Sequence, residues 1–291
     1  ERLKYWFKKD NYNKLQAIYN LINKVKDKDV RNFYLCCFSN ILKLSSRWYT
    51  KSIKPMIDNN KVDVDPAKVF KIHLEKMTNG NKELLSRISN NYYKALIYKR
   101  DARNTNLKSE SVDLVITSPP YVTSYEYADI HQLTTLWFGY SEKISDIKHK
   151  FIGTSSYKRN KSELLSNTAR NIINAVFIHS KRRARLIEQY YLDIQLSYIE
   201  MLRVLKNNGT ACIVIGDTEY KGVKIYNSIV TYETLKDIGF DVVKIIKRRI
   251  SSKIFTPYRD KIGRFTTNSN KKNIYQYEYI LIARKKNERT V

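Results

Sequence analysis

The 291 residues are 42% hydrophobic, with only 8 glycines and 5 prolines and no repeat or low-complexity tract, so the chain folds around a sizeable core and is neither disordered nor fibrous. Its 54 Lys and Arg against 28 Asp and Glu leave a net charge of +26, and 23 tyrosines accompany that charge. No apolar run reaches membrane-spanning length and no signal peptide is visible, while Cys36, Cys37 and Cys212 form neither a metal-ligand spacing nor a disulfide framework. A reducing, cytoplasmic setting and a nucleic-acid partner follow: phosphates supply the affinity for a basic surface, and aromatic rings accept unstacked bases. A codon bias toward Lys, Asn, Ile and Tyr accounts for part of the count, but Asp and Glu have not risen with it.

Residues 3–48 read as helical, because LQAIYNLINKV and RNFYLCCFSNILKLSSRW space apolar residues by three and four around the polar hinge DKD. A further helix is expected over 66–89, with Asp65 as N-cap and Pro66 in the first turn. These residues form a helical N-terminal segment, 1–90. From 91 onward short apolar runs alternate with helices. ALIYKRDA reads as a strand ending at Asp101, VDLVITS as the next strand and YYLDIQLSYIEMLRVL as an amphipathic helix. TACIVIGD is then a buried strand, NSIVTYETLKDIGF a helix, and DVVKIIKRRI and YQYEYILIARK the closing strands. This alternation predicts an α/β domain over 91–291 with a mostly parallel sheet and helices on both faces. Ligands bind such sheets at the carboxyl ends of the strands, where Asp101, Ser118 and Asp217 fall.

Two basic stretches interrupt the scheme, an insertion at 141–189 and a loop at 251–272. Both exceed ordinary connector length. Each suits a solvated surface excursion or a grip on DNA phosphates, through Arg182, Arg183 and Arg185 in the first and Lys253, Arg259, Lys261 and Arg264 in the second.

The strand VDLVIT runs into Ser118-Pro119-Pro120-Tyr121. Neither proline can donate to a ladder and each fixes its own φ, so the strand stops in a rigid corner. The corner offers a hydroxyl, proline carbonyls without neighbouring amide donors, and a ring. Such groups accept hydrogen bonds from an exocyclic NH2 and stack on the heterocycle carrying it. Because that nitrogen's lone pair is delocalised into its ring, accepting its protons and favouring a pyramidal geometry turns it into a nucleophile. In a duplex the base must first be flipped out, and Tyr121 would hold it by stacking. A plain turn is the alternative; the preceding strand, the α/β alternation and the basic chain favour the chemical reading.

The stretch DARNTNLKSESVDLVITSPPY resembles the heart of the S-adenosylmethionine-dependent DNA amino-methyltransferases, whose catalytic motif is [Ser/Asn/Asp]-Pro-Pro-[Tyr/Phe/Trp]. RVLKNNGTACIVIGD and the closing YEYILIARK resemble the family's following helix, turn and strands, and the likeness extends over roughly 92–140 and 190–285. It implies a Rossmann-like methyltransferase sheet and S-adenosylmethionine as cofactor. It also implies that Ser118 and the Pro119 carbonyl, with Pro120 in the motif, bind the target amino group, that Tyr121 stacks on the base, and that Asp101, Ala102 and Thr117 approach the cofactor. Asp101 equally suits a cap of the following turn. Tyr125, Tyr127 and His131 would line the pocket or bury their rings as core, with His131 read as structural and Asp217 as a cap. Serine in the first motif position leans toward cytosine N4, since the family's adenine enzymes more often carry Asp or Asn there.

The sequence departs from the family at the glycine-rich turn, of the form Phe-x-Gly-x-Gly, that lets backbone approach the methionine part of the cofactor. Before Leu107 the single glycine is Gly80, with no strand ahead of it. The expectation is a catalytic half acting on double-stranded DNA in a prokaryotic cytosol or nucleoid, completed by a partner polypeptide or by an upstream segment preceding Glu1 that carries the glycines. An RNA base methyltransferase with the same corner and a catalytically silent DNA-recognition subunit are the alternatives.

Overall fold

The computed structural model describes residues 2–88, 95–122, 127–148, 150–154, 163–250, 258–259, 272–273 and 276–286. The chain divides into two compact units, one of residues 1–97 with 126–148 and one of 98–125 with 149–291. Residues 126–148, which sequence pattern assigns to the second domain, therefore group with the first.

The first unit is helical: α1 (Arg2–Trp6), α2 (Lys9–Asn23), α3 (Lys28–Ser45), α4 (Pro66–Arg87), α5 (Tyr127–Ile130), α6 (Gln132–Trp137) and α7 (Ser145–Lys148). The hinge DKD works as a cap, with the Asp27 carboxylate accepting from the amides of Asp29 and Val30 at the start of α3. Asp65 caps α4 in the same way ahead of Pro66. The core is aromatic: the Trp137 ring lies 5.1 Å from Phe7 and 5.4 Å from Phe38, and Trp6 lies 5.2 Å from Trp48. Leu133 and Trp137 of the segment after the Ser118 corner thus serve as core, while Tyr127 stays partly exposed and His131 sits between α5 and α6. Tyr125 lies outside the described residues.

The second unit holds β1 (Val112–Thr117), α8 (Asn167–His179), α9 (Lys181–Val204), β2 (Leu205–Ile215), β3 (Thr218–Tyr220), β4 (Val223–Ile225), α10 (Asn227–Asp237), β5 (Phe240–Arg249), β6 (Tyr258–Arg259), β7 (Lys272–Asn273) and β8 (Tyr277–Lys285). Its main sheet has the order β1-β2-β8-β5, parallel between β1 and β2 and antiparallel along both sides of β8. The fold is α/β and Rossmann-like. The sheet is mixed rather than mostly parallel, because β8 lies between β2 and β5 and runs antiparallel to both.

Along β2 the residues Ala211, Ile213 and Ile215 are fully buried, as are Leu281 and Ala283 beside them on β8. They pack under Ile172 and Val176 of α8, Ile187, Tyr191 and Tyr198 of α9, and Val230 and Leu235 of α10. Residues alternate across a strand, so Ile116, Cys212 and Ile282, joined in register, share the opposite face with Leu114, Val214 and Ile280. There Leu114 is 52% and Ile116 70% exposed. Sequence pattern predicts helices on both faces; among the described residues of this unit the helices lie on one.

One further expectation changes. Residues 95–100 form no strand, and Leu96 and Tyr98 are exposed, because an extended apolar run becomes a strand only where a neighbour takes its ladder bonds. Within the basic stretch 141–189, residues 167–179 form α8 and residues 181–189 the first turns of α9. Among the described residues no helix is long and apolar enough to cross a membrane.

Candidate active site

Strand β1 delivers the corner to the carboxyl edge of the sheet. Ser118 is exposed, Pro119 buried, and Pro120 and Tyr121 half-buried. The prolines end the ladder as their missing amides require. Gly216, which follows the adjacent β2, is the second part of the site. A Cβ placed there would come 2.8 Å from Tyr121 Cε2, so only a glycine lets the Tyr121 ring rest against this backbone. The Gly216 carbonyl accepts from Asn227 Nδ2 at 2.9 Å, and Tyr191 Oη donates to Asn227 Oδ1 at 3.1 Å.

The Pro120 carbonyl is engaged as well: Tyr190 Oη donates to it at 2.5 Å. Of the two proline carbonyls that the sequence offers for a base amino group, that of Pro120 is therefore held by the protein. Asp217 accepts from the Ser228 amide at 2.9 Å as a cap of α10, and burial raises its carboxyl above the usual range.

Asp101 lies in a turn closed by the Asn104 amide donating to its carbonyl, and its carboxylate accepts from the Arg103 amide and guanidinium. Those bonds hold the Asp101 carboxyl below the ordinary range. The same guanidinium donates to Asp193 Oδ1 at 2.9 Å, on a fully buried carboxylate of α9 that also accepts from Gln189 and, through Oδ2, from the Gly153 amide. Two turns further along α9, Glu200 Oε1 accepts from the amide and hydroxyl of Thr105, and Glu200 pairs with Arg203, whose guanidinium reaches the Leu107 carbonyl. The segment from Asp101 to Leu107 is strapped along α9 by two carboxylates.

None of Tyr190, Tyr191, Asp193, Glu200, Asn227 and Gly216 stood out as a site residue in the sequence. The available signal was the set of polar residues set into an otherwise apolar helix stripe, since a buried carboxylate persists only where donors meet it.

The bonds of Glu200 with Arg203 and Thr105 lower its pKa to about 2. A depressed carboxyl stabilises the fold fully above its unfolded value near 4.5, and this contribution fades as pH falls from there toward about 2. Glu200→Gln is expected to cost roughly 1–3 kcal/mol at neutral pH, the scale for hydrogen bonds to a charged group. In urea unfolding at a series of pH values the gap from wild type should close below about pH 4.5; a gap independent of pH would refute the strap's charge.

Of the other predicted residues, Thr117 ends β1 and Ala102 lies exposed in the Asp101 turn. Arg182, Arg183 and Arg185 occupy the first turns of α9, with the Arg183 guanidinium 5.3 Å from the centre of the Tyr220 ring on the β3–β4 hairpin. Lys253, Lys261 and Arg264 lie outside the described residues; Arg259 belongs to β6, and its side chain is likewise outside them.

Residues 112–291, the corner included, match the DNA methylase family of the N6/N4 type. The chain belongs to this family. It is 24% identical over 274 residues to the Type II methyltransferase M.MvaI of Kocuria varians, covering 87% of this chain and 60% of that protein. It is 26% identical over 153 residues to the Type II methyltransferase M.AvaI of Nostoc sp., covering 46% of this chain and 32% of that protein. The chain thus spans three-fifths or less of the length of these curated relatives. A crystal structure of a protein named as a DNA modification methylase from Thermus thermophilus, complexed with S-adenosyl-L-methionine, aligns with 64% of this chain and 53% of its own at 18% identity and a TM-score of 0.31.

S-adenosylmethionine is the cofactor that goes with this family. The described residues do not make a full site for it. The Asp101 carboxylate is committed to Arg103, and no described strand is followed by a glycine-rich turn of the kind that admits a ligand to backbone distance.

Proposed function

We propose that the chain is the base-binding portion of a DNA amino-methyltransferase of a restriction-modification or related system. It receives a flipped-out base, cytosine in preference to adenine, and presents the exocyclic amino group for methylation by S-adenosylmethionine. The observation that carries this reading is the corner itself: an exposed Ser118 at the carboxyl end of β1, followed by two prolines and a tyrosine ring braced on Gly216. In this role Ser118 Oγ and the Pro119 carbonyl accept hydrogen bonds from the two N–H groups of the amino nitrogen. The nitrogen lone pair is then less available to the heterocycle and more to an electrophile, while Tyr121 stacks on the base.

The cofactor site is completed by a partner polypeptide or a further segment carrying the glycine-rich turn. Two features support this: the apolar face of Leu114 and Ile116 is exposed, and β1 is an edge strand with no neighbour on its outer side among the described residues. A long apolar edge and face are a liability unless something covers them.

DNA phosphates meet the cations at the start of α9. Replacing Arg182 and Arg185 by Gln is expected to weaken binding to all sequences alike and to lower the salt slope by about one unit for each phosphate that is no longer neutralised. An unchanged slope in binding titrations from low to moderate salt would move the DNA elsewhere. For the reaction, labelled S-adenosylmethionine and mixed-sequence DNA are incubated with the chain, alone and with the polypeptide encoded beside it, and the modified base is identified by mass spectrometry. N4-methylcytosine is expected. N6-methyladenine would correct the base, label in structured RNA alone would overturn the substrate, and tight DNA binding without transfer in every combination would leave a recognition subunit.

A further inference from the structure

Helix α9 carries adjacent tyrosines, and both reach the surroundings of Tyr121. Tyr190 donates to the carbonyl of Pro120, which belongs to the peptide unit leading into Tyr121. Tyr191 holds Asn227, and Asn227 holds the carbonyl of Gly216, against which the Tyr121 ring rests. One tyrosine thus fixes the plane from which Tyr121 departs and the other fixes the platform on which its ring lies. The two rings meet edge to face with centroids 5.4 Å apart, and both are buried, so neither moves without the other.

A third interaction reaches the same pair. At Gly153, with φ +69°, a Cβ would stand 2.9 Å from Tyr190 Cδ2, and the Gly153 amide is held by Asp193, three residues along α9 from Tyr190. The Gly153 backbone therefore lies directly against Tyr190. A role confined to stability would need neither tyrosine to converge on Tyr121, since the helix already has the apolar stripe of Ile187, Ile194 and Tyr198 to hold it on the sheet.

We propose that Tyr190 and Tyr191 are positioning residues which set the base-stacking ring of Tyr121, and that Gly153 keeps Tyr190 in register. With the Pro120 carbonyl tied to α9 and both prolines fixed in φ, the Pro119 carbonyl and Ser118 hydroxyl are left as the acceptors for the base. This inference rests on the base-capturing function proposed above.

The test reads base capture without cofactor or knowledge of the recognition sequence. Binding of the full chain is measured by fluorescence anisotropy to a paired duplex and to the same duplex carrying one extrahelical cytosine. Wild type is expected to prefer the extrahelical base. Tyr190→Phe should lower that preference about five- to tenfold, the equivalent of one hydrogen bond, while affinity for the paired duplex stays within about twofold. Gly153→Ala, which leaves the hydroxyl in place but presses on its ring, should lower it in the same direction and serves if the first variant folds poorly. Wild-type preference retained by both variants, or a parallel loss on both duplexes, overturns the positioning role. No preference in the wild-type chain defeats base capture itself, and the positioning role falls with it.

Discussion

Ser118→Ala in the completed enzyme is expected to slow methyl transfer by about two orders of magnitude, the usual scale for losing one positioned hydrogen-bonding group in a transition state. The effect should fall on kcat. Ser118 is exposed at the end of β1, so thermal unfolding and DNA affinity should stay near wild type. Single-turnover transfer of labelled methyl groups, measured with saturating DNA, separates the two. Turnover within a few-fold of wild type would remove Ser118 from the chemistry and leave the corner as a strand terminator.

The second large effect concerns the cofactor. The 291 residues by themselves are expected to bind S-adenosylmethionine weaker than about 1 mM, and with the completing polypeptide or segment in the micromolar range, a difference of about 4 kcal/mol or more. The physical reason is that a sulfonium amino acid joined to an adenosine needs backbone contact on more than one side. In this chain the Asp101 carboxylate is already engaged by Arg103, whose own donors go to Asp101 and the buried Asp193. Titration calorimetry on the chain and on the reconstituted pair measures the difference. Micromolar binding by the chain alone would show that the residues described as a strap reorganise into a complete site. The same measurement on Arg103→Ala distinguishes a carboxylate held back by its partner from one with no access to ligand: release of Asp101 should then strengthen binding.

Much of the molecule was legible in the sequence. The Asp65 cap, the polar break DKD between the first long helices, the strand VDLVIT and its termination at Ser118-Pro119 all follow from local rules, because a cap, a missing amide and an alternation of residues act within a few positions of one another. The charge of +26 and the corner together point to the amino group of a nucleic-acid base, and the resemblance of DARNTNLKSESVDLVITSPPY to the DNA amino-methyltransferases supplies the reaction. The family match over 112–291 agrees with that reading.

Tertiary structure decided what depends on distant partners. ALIYKR has the composition of a strand and is not one, since among the described residues no neighbour supplies its ladder. The sheet is mixed because β8 enters between β2 and β5, an order that alternation along the chain does not contain. The basic stretch 141–189 runs into the helix that holds the corner, with Tyr190 meeting Pro120 across 70 residues of sequence. Asp101 was visible as an acidic residue before a turn, but its commitment to Arg103, and through that residue to Asp193, required α9 to be laid beside it. Residue type and spacing set what a side chain can offer; which of those offers is already taken is settled only when the chain brings the partner, and in a buried carboxylate or carbonyl that partner decides whether the group remains open to a substrate.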